Sequence, residues 1–246
     1  MPTHQSLGGA SDEELLQRMV TTHDERFEPA FWAFFDAHVG GRLPARAVMA
    51  DVGCGPGLLL RDLGERYPDA VLHGYDVTPA MIAYGRQLRF KAASATFTLH
   101  DVVAQPLPLA DATVNLASMS SVLHVFDEPL PTLAEIRRVL APGGTFLLND
   151  WIRQPLASYL AYRRDVMKES GPEGLRRAFR LFPVHNKYSV EDWRWLLGEA
   201  GFEVLAQTEL RASHRVFVAT PRPADRGGQA RNAFIAVTSA GVPPKR

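Results

Sequence analysis

Cysteine is nearly absent from this chain: Cys54 is the one cysteine in 246 residues. An internal disulfide and any metal centre built from several cysteines of one chain are excluded. Nor is there an excess of charge of one sign. Lys+Arg and Asp+Glu each number 27, giving a formal net charge of zero, so no net field favours nucleic acid or an anionic membrane surface. No run approaches the ~20 apolar residues that a bilayer-spanning helix needs, and the first residues lack the basic segment followed by an apolar run that marks a secretory signal. A small, near-neutral molecule is the expected partner, with no nucleic acid, no membrane and no metal, and a cytoplasmic location is expected. The sequence leaves a homodimer open. What is abundant is apolar residues, 46% of the chain, spread evenly enough for one domain with added helices.

The organising stretch is Val48-Met49-Ala50-Asp51-Val52-Gly53-Cys54-Gly55-Pro56-Gly57. Apolar residues run into Asp51 as in a short buried strand, and three alternate glycines then turn the chain into Leu58-Leu59-Leu60, a helix start. Glycine suits a turn that brings bare backbone to a ligand, because a Cβ would block the dihedrals and the approach. Cys54 reads most simply as a small residue filling that turn. Dinucleotides and S-adenosylmethionine both use such turns. The dinucleotide fingerprint counted from Gly53 wants its third glycine at position 58, which is Leu58. The run Asp51 to Gly57 resembles instead the first motif of the class I S-adenosylmethionine-dependent methyltransferases.

Ahead of this stretch, Ser11 and Glu14 have capping-box spacing and open a helix with Leu15, Leu16, Met19 and Val20 on one face. A second helical period, Phe27, Phe31, Phe34, Phe35 and His38, stops at Gly40-Gly41; its rings pack in the core, with one or two left for a pocket. Behind it, a helix from Leu58 to near Arg66, a strand over 70–76, a helix from Pro79 carrying Met81, Ile82 and Leu88, and a strand over 95–100 follow in alternation. A strand through Val114 to Ser118, a helix over 130–140 ended by Ala141-Pro142-Gly143-Gly144, and a strand over 145–150 continue the series. Residues 151–188 break the alternation with helices near 156–168 and 173–182, an insertion placed where ligands bind in open α/β sheets. Ser189 and Asp192 cap the next helix, and two strands, 203–208 and 216–220, finish the pattern. After Pro221 the composition shifts to Pro, Gly, Ala and charge, a loose tail in which only Phe234 to Val237 could pair.

"LAPGGTFLLND", "SVEDWRWLLGEAGF" and the 111–127 segment also resemble this family. The resemblance implies a Rossmann-like, doubly wound α/β sheet of seven strands, mostly parallel with the last antiparallel, topped by a helical cap. It divides the chain into an N-terminal cap segment (1–42), a cofactor-binding domain (43–220) with a substrate cap (151–188), and the tail (221–246). It implies S-adenosylmethionine as cofactor, held by Gly53, Gly55 and Gly57, by Asp76 on the ribose hydroxyls with Val77 beside it, by Met81 against the adenine, by Asp101 on the adenine amino group with the Val102 N–H on a ring nitrogen, and by Ser118 at the methionine end. Met81 as a core residue, and Asp101 as a plain turn residue, are the competing readings of the same positions.

The function implied is methyl transfer to an O, N or C atom of a small molecule by in-line displacement. Alignment dominates such a reaction, and a base serves only where the nucleophile must lose a proton. His124, His185 and Tyr188, with Asp150 behind them, are the candidates, His124 having the alternative of bridging helix backbone to a loop. Arg153, Arg163, Arg164, Arg176, Arg177 and Arg180 offer partners for an acidic substrate or simply solvated helix faces. The rival readings are a protein of this fold that binds the cofactor without methylating, as a cyclase or regulatory partner, and a nucleotide-dependent oxidoreductase, against which Leu58 stands. A nucleic-acid methyltransferase is disfavoured because Ser118-Met119-Ser120-Ser121 lacks an Asn/Asp-Pro-Pro-Tyr/Phe signature.

Overall fold

The computed structural model describes residues 9–223; the expectations for residues 1–8 and for the 224–246 tail, including Phe234 to Val237, lie outside the described residues. Three helices come first: α1 (Asp12–Thr21), the one-turn α2 (His23–Arg26) and α3 (Pro29–His38). The Ser11 hydroxyl accepts from Glu14 N while the Glu14 carboxylate accepts from Ser11 N, so α1 begins in a complete capping box. Alternating elements follow: β1 (Val48–Val52), α4 (Leu58–Arg66), β2 (Val71–Asp76), α5 (Pro79–Gly85), β3 (Ser94–Leu99), β4 (Val114–Ser120), α6 (Pro129–Val139) and β5 (Leu140–Trp151). The cap helices α7 (Leu156–Asp165) and α8 (Gly171–His185), then α9 (Val190–Glu199), β6 (Phe202–Arg211) and β7 (His214–Pro221), complete the described elements.

The strands form one seven-stranded sheet in the order β3-β2-β1-β4-β5-β7-β6. Pairing is parallel from β3 through β5, and β7 runs antiparallel to both its neighbours. The order reverses between β1 and β4, so the carboxyl ends of these strands flank the crevice where open α/β sheets take ligands. Strand residues alternate between two cores. Ala50, Val52, Phe146, Leu148, Phe217 and Ala219 join the one on one face; Met49, Leu116, Leu147, Val216 and Val218 join the other. Each buried Val, Leu, Met or Phe among them contributes about 1.5–3 kcal/mol, which holds the strand ends in place under the site.

Three expectations change. Phe27 is the C-cap residue of α2 rather than part of the following helix and borders a small cavity behind the glycine turn, while Phe31 and Phe35 are buried in the core as expected. The helix expected over 130–140 ends at Val139 and the strand begins at Leu140 rather than Thr145, because Pro142-Gly143-Gly144 lies in a register shift of β5 against β4 rather than in a helix-terminating turn. The helix expected to stop at Phe182 runs through Pro183 to His185. Pro183 leaves one carbonyl of the helix without its N–H, at Phe179, a residue on the exposed face.

Candidate functional site

Strand β1 delivers the glycine turn to the reversal point of the sheet. Gly53 N and Cys54 N both donate to Tyr75 O, at 2.7 and 3.0 Å, which ties the turn to the end of β2. Asp76, the last residue of β2, accepts from Gly55 N at 2.9 Å through one carboxylate oxygen and from Thr78 N at 2.8 Å through the other. Burial pushes the Asp76 carboxyl up, while these N–H groups hold it down. The carboxylate is therefore oriented before any ligand arrives.

The glycines of the turn do different work. At Gly57 (φ +77°) a Cβ would lie 2.4 Å from Cε1 of Phe97 on β3, so this position serves the close packing of α4 on the sheet. At Gly55 (φ +52°) a Cβ would lie 2.5 Å from Cε of Met19, so α1 is laid directly on the turn. Beneath the turn, the Ser118 hydroxyl donates to Asp51 at 2.7 Å with both side chains buried. Burial pushes Asp51 up to about 7, the Ser118 bond opposes this, and the Asp76 charge adds to it.

Above lies a cavity of about 190 Å³, on the order of ten times the 10–15 Å³ that one water needs. Its sheet end is walled by Tyr75, Asp76, Val77, Met81, His100 and Val102, an apolar slot with one carboxylate at its rim. The cap end is aromatic and imidazole-rich. His185 stacks on Trp151 with ring centroids 3.8 Å apart and 13° between planes, and its Nδ1 lies 2.9 Å from the Tyr159 hydroxyl. His214 lies 4.3 Å from the Trp151 ring; its Nε2 is 3.1 Å from the Ser121 hydroxyl and its Nδ1 2.8 Å from the Ser213 hydroxyl. Ser121 takes φ +57°, a left-handed conformation that few non-glycine residues adopt. Local strain of this kind concentrates at functional sites.

The structure brings Gly53, Asp76, Val77, Met81, Val102 and His185 to one cavity wall. Other expected site residues stand elsewhere. Gly55 and Gly57 face Met19 and Phe97. The Asp101 carboxylate accepts from Val103 N at 2.9 Å and Ala104 N at 3.3 Å, as a turn residue does. Ser118 is buried on Asp51, and Ser120 and Ser121 reach the wall instead. His124 sits behind the wall, its Nδ1 donating to Asp150 at 2.6 Å, and the Tyr188 ring packs on Trp193 at 4.7 Å. Sequence reasoning missed Ser121, His214, Arg26 and Arg211, all of which line the cavity. His214 and Arg211 belong to the last hairpin, which the alternation pattern marks only as scaffold. Among the described residues no cluster of three or more His, Cys, Asp or Glu could hold a metal ion.

Comparison with known proteins agrees with this geometry. The profile of a family described as a methyltransferase domain matches residues 50–148. Malonyl-[acyl-carrier protein] O-methyltransferase of Hahella chejuensis is 34% identical over 106 residues, covering 43% of this chain and 37% of that protein. Trans-aconitate 2-methyltransferase of Methylobacterium nodulans is 37% identical over 122 residues, covering 49% and 43%. The chain thus spans less than half the length of either relative. Among solved structures, a SAM-dependent methyltransferase from Aquifex aeolicus superposes with a TM-score of 0.63 at 21% identity over 85% of this chain and 97% of that one, a likeness of fold. The glycine turn, the reversal of strand order at β1 and β4, and the antiparallel β7 agree with both comparisons: residues 50–148 match a methyltransferase domain, and the chain has the fold of S-adenosylmethionine-dependent methyltransferases.

Proposed function

We propose that this protein transfers a methyl group from S-adenosylmethionine to an O, N or C atom of a small molecule by in-line displacement. The observation that carries the reading is the Asp76 carboxylate, fixed by Gly55 N and Thr78 N at the rim of an apolar slot. Asp76 would accept from the ribose hydroxyls, Val77, Met81 and His100 would hold the adenosine body, and the Val102 N–H would face the base. The Asp101 carboxylate, already engaged by Val103 and Ala104, would shape this end by holding Val102 in place. The bound cofactor supplies a methyl group already activated on a sulfonium.

The chain's task is then alignment and exclusion of water, effects that supply on the order of 7–11 kcal/mol. Met19 of α1 and Leu181 of α8 close the cavity from above, and Trp151 gives the acceptor a flat wall. Where the acceptor must lose a proton, His185 is the residue to take it. It lines the cavity with its Nδ1 2.9 Å from the Tyr159 hydroxyl, and the tautomer that donates from Nδ1 to that oxygen would carry the basic lone pair on Nε2. Burial pushes the Tyr159 phenol up, so it stays neutral in this role. His124, Asp150 and Tyr188 act as supports behind Trp151. The relatives above are named for different acceptors, malonyl-[acyl-carrier protein] and trans-aconitate, so the shared domain does not fix the substrate. Incubation with a labelled methyl donor and a panel of small acids, amines, phenols and enols tests the reading: label should appear in a small product with one equivalent of S-adenosylhomocysteine. Cofactor binding with no label in any product would favour the non-methylating alternative.

A further inference from the structure

The charge on the cavity wall does not follow from the composition. The chain as a whole is balanced at 27 and 27, yet Arg18, Arg26, Arg163, Arg177 and Arg211 line this one cavity against Glu25 and Asp76. Asp76 is engaged at the sheet end by Gly55 and Thr78. Glu169 pairs with Arg18 at 3.2 Å and with Arg163 at 2.5 Å, so those two guanidinium groups share a carboxylate. No carboxylate comes within 4 Å of Arg26, Arg177 or Arg211 among the described residues. Each also keeps a buried N–H without a hydrogen-bond acceptor there: Nε of Arg26, Nε of Arg177 and Nη2 of Arg211. The three side chains are half-buried, and a buried N–H left without an acceptor is costly unless something else supplies one.

Position separates these three. Arg26 also borders the smaller cavity behind the glycine turn, with Gly53 and Ser120, and donates to Met19 O at 2.8 Å, so it is already engaged on the glycine-turn side. Arg177 comes from the cap helix α8, and Arg211 ends β6 beside His214, where a register shift between Glu209 and Arg211 re-aims the strand. Burial pulls the Arg26 guanidinium down to about 10, with the neighbouring Arg211 charge acting in the same direction. Arg177 and Arg211 remain as cavity-lining guanidinium groups with no carboxylate partner among the described residues.

We propose that the methyl acceptor carries an oxyanion, carboxylate or phosphate, held by Arg211 and Arg177 beside the Trp151 and His185 wall. The proposal deepens the methyltransferase reading and rests on it. Planar guanidinium groups recognise both anions through paired N–H donors, so the two sources must be separated by experiment.

With S-adenosylhomocysteine bound, benzoate and phenyl phosphate are titrated into the wild type and into Arg211→Gln and Arg177→Gln, with benzyl alcohol as the neutral control of similar shape. Thermal midpoint and calorimetry are the readouts. At least one anion should bind the wild type and raise its midpoint, about tenfold tighter than it binds either variant, and benzyl alcohol should not distinguish the three proteins. The stronger of the two anions identifies the carboxylate or phosphate source. In the variants the affinity for S-adenosylhomocysteine should stay within about twofold of wild type. Failure of both anions to bind the wild type, or equal binding to wild type and variants, overturns the proposal. Loss of S-adenosylhomocysteine affinity in Arg211→Gln overturns it as well, by assigning that arginine to the cofactor. Failure of S-adenosylhomocysteine to bind the wild type would instead defeat the methyltransferase reading beneath it.

Discussion

The His124 imidazole donates from Nδ1 to the Asp150 carboxylate at 2.6 Å, with the two side chains only 1% and 0% exposed. The same carboxylate oxygen accepts from Trp151 N at 2.7 Å, and the second accepts from His124 N at 3.3 Å. The pair therefore locks the end of β5 to the segment after β4 and fixes the Trp151 ring, against which His185 stacks.

Removing one member of such a buried pair is expected to cost about 3–5 kcal/mol. Asp150→Ala should lower the urea-unfolding free energy by that order, and His124→Gln by less, because an amide can still donate to Asp150. Methyl transfer should fall in both through displacement of Trp151, while the pH profile of kcat keeps its shape in His124→Gln. Undiminished stability together with loss of the low-pH limb of that profile would make His124 the base instead.

The two glycines of the turn should respond differently to alanine. Gly57→Ala combines a left-handed alanine, about 1–2 kcal/mol, with overpacking against the Phe97 ring, about 1–3 kcal/mol. Gly55→Ala meets only the flexible end of Met19, so its loss should stay near the first figure. Thermal unfolding of both variants measures the difference; equal losses would show that α4 does not depend on Phe97 contact.

Asp51 makes stability fall as pH rises. Its folded value is raised from 3.8 to about 7, so between those values the unfolded chain has released a proton that the folded chain still holds. The stabilisation is complete below about pH 4 and is lost as pH approaches 7, at about 1.4 kcal/mol per unit of separation. Asp51→Asn should flatten this slope and unfold less readily than wild type above pH 7. A wild-type stability curve that rises steadily from pH 4 to 7.5 and is unchanged in the variant would contradict the assignment.

Asp76→Ala removes both the fixed acceptor for the ribose and the clamp on Gly55 N. Loss of hydrogen bonds to a charged group, about 1.5–3 kcal/mol, corresponds to roughly 10–100-fold weaker binding of S-adenosylhomocysteine, to be read by calorimetry. Asp76→Asn should recover part of the turn but less of the affinity, since one oxygen becomes a donor.

Most of the architecture was legible because strand and helix periods differ so plainly between Val48 and Leu99. The boundaries that moved did so at Pro142 and Pro183, where proline reads as a stop but the chain carries it inside a strand irregularity and on an exposed helix face. Asp76 could be found from its place at a strand end. Ser118 could not be told from Ser120 or Ser121: two residues along a strand is about 6–7 Å of depth, and only pairing of Ser118 beside Asp51 puts it below the cavity floor. Arg211 and His214 were hidden because a hairpin at the sheet edge gives no local sign of which end faces a cleft.

The most direct test of the account is calorimetric titration of the protein with S-adenosylmethionine, S-adenosylhomocysteine and NADH in parallel. Saturable one-site binding of the first two, lost or greatly weakened in Asp76→Ala, and no binding of NADH are expected. Binding of NADH alone, or cofactor affinity untouched by Asp76→Ala, would contradict it.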